Sequence, residues 1–153
     1  MSDNYNYVKH ITHSATFHET NAIQCDTADL SSGYSSTFRE KELKATGSVK
    51  AVSDHASTIS IERLQCASAE LVATYASILT VNHIDCDQLT INADYSSTLK
   101  ILGGRIGTIN GVIMHASNGI HKNISISRDN VEVGPGCYWG EGGLLSASAS
   151  ESK

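Results

Sequence analysis

From Ile59 onward, apolar or small side chains come in i, i+2 pairs set five residues apart. The pairs are Ile59/Ile61, Leu64/Cys66, Ala69/Leu71, Thr74/Ala76, Leu79/Val81, Ile84/Cys86, Leu89/Ile91, Asp94/Ser96 and Leu99/Ile101. Side chains two residues apart lie on one face of an extended chain, whereas a helix repeats at i, i+3 and i+4. Residues between and around the pairs, among them Ser60, Gln65, Glu70, Thr80, Asp85, Thr90 and Lys100, are polar. The pattern predicts short strands, each with an inward and an outward face.

The pattern also recurs at longer range. An aromatic ring stands at His13, Tyr34, His55, Tyr75, Tyr95 and His115, in steps of 21, 21, 20, 20 and 20 residues. A second column, Cys25, Ala45, Cys66, Cys86, Ile106 and Ile126, keeps nearly the same steps. Short strands that recur at a fixed period wind into stacked coils whose neighbours hydrogen-bond along the long axis. The expected fold is all-β, a single-stranded parallel β-solenoid of about six coils with a period of about 20 residues. Its handedness is left open. One extra residue at a corner would absorb each 21-residue step. Residues 12–133 form the solenoid in this reading and 1–11 an N-terminal cap or partial coil. Residues 134–145 form a Gly-rich C-terminal cap or turn, and 146–153 a disordered tail.

The five-residue rhythm resembles the pentapeptide-repeat family, with "ADL" at Ala28–Leu30 and "AEL" at Ala69–Leu71 matching its pattern. That resemblance implies a four-sided coil. Most other positions carry Ile, Leu or Cys where that family has a small residue. A three-sided coil of similar length, as in bactofilin-type and putative-adhesin solenoids, is the equal alternative.

Composition adds constraints on partners. The net charge is −5, from 11 basic and 16 acidic residues with no basic cluster, which argues against a nucleic-acid footprint. The apolar runs fall far short of the ~20 residues that span a bilayer. The start of the chain has no Sec-type signal pattern, and the four cysteines are widely spaced without a C-x-x-C. Reduced thiols and a cytoplasmic location are the expectation, with export by a non-Sec route left open.

Three groups of residues are candidates for function. The first is the ring column His13, Tyr34, His55, Tyr75, Tyr95 and His115. It is expected to face outward beside an outward serine column that includes Ser36, Ser57, Ser77 and Ser97. The inward residues there would be Ser14, Ser35, Ala56, Ala76, Ser96 and Ala116. Such a strip could receive another protein, a second rod or the face of a sugar. The second is a polar group on one outer wall, Asp85 and Asp87 with Arg105 one coil on. The third is the cysteine column, read as buried thiols packing like small hydrophobes. No metal-ligand spacing occurs among the histidines, and no cofactor motif is present, so no metal site and no cofactor is expected. The expected function is a non-enzymatic structural or protein-interaction solenoid, self-assembling through its flat faces or ends. A homo-oligomer or another protein is the partner. The alternative is an adhesin-like module that binds or cleaves carbohydrate.

Overall fold

The computed structural model describes residues 6–141, and every regular element in that range is a strand. In chain order these are β1 (Asn6–Ile11), β2 (Thr16–Cys25), β3 (Thr27–Ser32), β4 (Thr37–Ala45), β5 (Ser48–Asp54), β6 (Thr58–Thr74) and β7 (Ile78–Val81). They continue with β8 (Ile84–Asp94), β9 (Thr98–Ile101), β10 (Gly104–Ile113), β11 (Asn118–His121), β12 (Ile124–Val133) and β13 (Tyr138–Glu141). Every pairing is parallel, and the strands wind as a β-solenoid of about seven turns with a ~20-residue period. The count exceeds the expected six because β1 and β13 also join the ladders, pairing with β3 and β11. Residues 142–153, which include the proposed tail and the end of the proposed C-terminal cap, lie outside the described range.

Register confirms the like-on-like stacking expected from the period. Cys66 lies opposite Cys86, Leu71 opposite Ile91, and Leu79 opposite Leu99. The 21-residue steps are absorbed at corners: the β2–β4 register shifts between Glu19 and Ala22, and Thr46–Gly47 holds the other extra residue.

The interior is built from columns of Leu, Ile, Val, Ala and Cys. In one central coil the buried residues are Ser57, Ile59 and Ile61, then Leu64 and Cys66, then Ala69, Leu71 and Ala73. Each coil therefore has three inward runs and three walls. The pairs expected on a fourth inward run, Thr74/Ala76 and Asp94/Ser96, are not inside: Ala76 and Ser96 are exposed, and Thr74 and Asp94 half-buried. The five-residue phase holds on three walls and fails at the ring corner. There two successive residues adopt left-handed backbone, φ 55° at Tyr75 and 62° at Ala76. That bend keeps the chain outward for three residues instead of crossing back at once.

Gly104 marks another close approach. It has φ +117°, and a Cβ there would sit 1.9 Å from the carbonyl oxygen of Ile84 in the coil below. The glycine-rich "LGGRIG" is thus a corner where backbone meets backbone.

Candidate functional site

The ring corner recurs along the rod from His13 to His115. All six corners from His13 to His115 place two consecutive non-glycine residues in the left-handed region. Each such residue costs on the order of 1 kcal/mol unless its surroundings determine it. Three interactions do so here. The backbone ladder continues through the bend, with the Ala76 N–H donating to the Tyr95 carbonyl at 2.9 Å and Ser96 N–H to His115 at 2.9 Å. At five of the six corners the next residue is a serine that turns inward, with Ala15 in that place at the first. The Ser57 N–H donates to Ser77 Oγ (3.3 Å), Ser77 N–H to Ser97 Oγ (3.2 Å), and Ser97 N–H to Ser117 Oγ (3.1 Å). The Oγ of Ser57 and of Ser97 in turn donates to the carbonyls of Asp54 and Asp94.

This corrects the expected face of the serine column. Ser36, Ser57, Ser77 and Ser97 are each 1% exposed, so they line the interior and cannot meet a partner. The physical reason is the bend: a corner with no regular partner for its next N–H needs a compact acceptor, and a serine hydroxyl supplies it.

The third interaction is ring stacking. Centroid separations along the ladder are 5.2, 4.5, 4.8, 4.8 and 4.7 Å, with interplanar angles between 3° and 13°. The spacing is the ~4.8 Å of the strand ladder itself. All six rings point outward, as expected, and Tyr34, Tyr75 and Tyr95 are 52%, 48% and 44% exposed. Each inner ring is covered on both faces by its neighbours. The strip therefore presents ring edges, tyrosine hydroxyls and imidazole nitrogens, and the stacking of a sugar on ring faces has no room along it. Sequence reasoning missed two acidic partners. His55 Nδ1 lies 2.6 Å from Asp54 Oδ1, and His115 Nδ1 lies 2.5 Å from Asp94 Oδ1. Their shared column, one position before the ring, was the available signal.

Ile78 (41% exposed) stands beside the tyrosines, so four of the six large apolar side chains that are substantially exposed among the described residues cluster at this strip. The other two, Val8 and Val133, lie at opposite ends of the rod.

The polar group on the second wall comes together as expected. Arg105 reaches Asp85 at 2.7 Å and Asp87 at 3.6 Å. The hydrogen bond and charge of Asp85 push the guanidinium's pKa upward. All three side chains are open to water, so neither carboxylate has the burial that acid–base work requires. The cysteines of the column are free thiols, and Cys25, Cys66 and Cys86 are buried. The Cys66 thiol is pushed up by its hydrogen bond with Cys86 and by burial, which keeps it protonated and inert. Among the described residues no group of His, Cys, Asp and Glu could hold a metal ion, and no helix is long and apolar enough to cross a membrane.

One buried acid was not anticipated. Glu40 occupies the column of Ile61, Val81 and Ile101, and is 1% exposed. Tyr7 donates to its Oε1 at 3.1 Å, while Oε2 has no partner. Burial pushes its carboxyl up to about 7, against the hydrogen bond from Tyr7; nearby Glu19 raises it further and Lys9 lowers it.

No protein-family model, curated protein or solved structure matches the chain.

Proposed function

We propose that this chain is a non-enzymatic structural solenoid that works by protein contact, with the ring ladder as its lateral docking strip and a second copy as the partner. One observation carries the reading: a straight row of six stacked rings, edge-out, where most of the exposed large apolar side chains gather. Clustered exposed apolar surface on a soluble fold marks an interaction site. Tyrosine suits that role because it offers a rigid apolar body with a hydrogen-bonding tip. Ring edges favour protein surfaces over sugars, which stack on ring faces. The exposed Asp85, Asp87 and Arg105 serve as a surface ion-pair group.

Sedimentation velocity over a concentration series tests this. The expected result is side-by-side association that is lost when Tyr34, Tyr75 and Tyr95 are all changed to Ser. A strict monomer at high concentration, or association indifferent to the triple variant, contradicts the strip's role.

A further inference from the structure

We infer that the second copy lies face to face on the third wall and runs antiparallel, so that Lys50 of each chain meets Glu70 of the other across a two-fold axis. This rests on the strip reading for its partner and adds the face, the direction and the register, which the strip alone leaves open.

The third wall runs into the ring corner and is made by β3, β5 and the later residues of β6, β8 and β10. Its middle outward column is Asp29, Lys50, Glu70, Thr90 and Asn110. Asp29 is engaged by His10 at 3.3 Å. Lys50 and Glu70 stand one coil apart and exposed, and among the described residues neither side chain has an ion-pair or hydrogen-bond partner. The other walls lack such a pair. The first carries Arg39 and Lys100 in its outward column, both of one sign, and on the second Arg105 already holds Asp85. A hollow of about 350 Å³ opens between Lys50, Glu70 and Thr90 on one side and Ser48, Ser68 and Gln88 on the other. A long side chain from a facing wall has room to enter there.

Symmetry decides the direction. A two-fold axis along the rod would set Lys50 on the partner's Lys50. A two-fold axis along the strands reverses the order of coils and keeps each column on itself, so the contact is self-complementary. It sets Lys50 on the partner's Glu70 and Glu70 on the partner's Lys50. Val52, half-buried on the same wall, then meets the partner's Val72, also half-buried. Ion pairs of this kind fix register and exclude wrong pairings more than they add affinity.

The ring ladder agrees with that axis independently. Lys50 and Glu70 lie five residues before His55 and Tyr75, the third and fourth of the six rings. The axis set by the charges is therefore also the midpoint of the ladder. Tyr34 comes level with the partner's Tyr95, and His13 with the partner's His115. Sliding the copies by one coil would lose both ion pairs and leave one ring of each copy unmatched.

Sedimentation velocity on the full chain tests this. Lys50→Glu and Glu70→Lys are each expected to raise the dimer dissociation constant at least ~10-fold, because each sets like charges opposite one another twice. Both positions face outward, so circular dichroism and melting of the dilute variants should match wild type. The double variant Lys50→Glu/Glu70→Lys should return toward the wild-type constant. An equimolar mixture of the two single variants should pair more tightly than either alone, since the mixed dimer restores both contacts. Single variants that associate like wild type overturn the inference, and so does loss without rescue in the double variant or the mixture. A mixed dimer of wild type with Lys50→Glu that is tighter than the wild-type dimer means equal coils face each other and overturns the direction. Association lost in the triple tyrosine variant but unmoved by the charge variants keeps the strip and sinks this wall. Association governed by the charge variants and indifferent to the tyrosines keeps this wall and sinks the strip. A strict monomer overturns both.

Discussion

At the scale of single residues, Glu40 shows what a stacked column can hide. Its neighbours along the column are Ile61, Val81 and Ile101, so an acid there interrupts an apolar file. The carboxyl titrates near its ordinary value of 4.5 when the chain is unfolded and at about 7 when folded. The folded state therefore holds a proton that the unfolded chain gives up between these values. Stability is greatest below about pH 4.5 as far as this group is concerned, and declines as pH rises toward about 7. Glu40→Gln should remove that decline and raise stability at pH 8 by on the order of 1–3 kcal/mol, seen as a higher melting temperature. Melting curves of both chains between pH 4 and 8 check this; parallel pH profiles would show that Glu40 does not titrate in the fold. The column alignment contained the signal for Glu40, since Glu19 and Glu40 stand where later coils carry Ile and Val. The regular i, i+2 pairs run from Ile59 onward, so the acids of the first coils lie outside them.

At the scale of the wall and the corner, sequence periodicity reached the walls and stopped at the corner. The i, i+2 pairs Ile59/Ile61, Leu64/Cys66 and Ala69/Leu71 are buried as expected. Alternation is a local rule of extended chain, so it holds wherever the chain is extended. The ring corner breaks the rule through two left-handed residues, and a left-handed pair made of Tyr or His followed by Ser or Ala carries none of the glycine or asparagine that usually announces one. The inward serines go unannounced for the same reason: a hydroxyl suits a water-facing position, while the corner uses it as an acceptor. The wall assignment has a direct test. Leu71→Asp puts an unpaired charge among fully buried side chains and should cost several kcal/mol. Glu70→Lys, one residue away on the outer face, should change stability by no more than about 0.5 kcal/mol. Thermal or chemical denaturation of the two variants measures both, and equal losses would contradict the inward–outward assignment.

At the scale of the whole molecule, shape was legible and purpose was not. Two columns of different chemistry with one shared period are enough to specify stacked coils, because only like-on-like stacking satisfies both together. Function has no comparable redundancy: the side chains of Asp85, Asp87 and Arg105 are open to water, and ring geometry appears only when the coils are stacked. The account as a whole rests on successive segments lying in register. Nuclear Overhauser contacts in the isotope-labelled protein test that most directly. The account predicts backbone contacts at a sequence offset of 20 across the central coils, with Cys66 beside Cys86 and Tyr75 beside Tyr95. Contacts dominated by i, i+3 neighbours, or by hairpin pairs of opposite direction through residues 58–113, would contradict it.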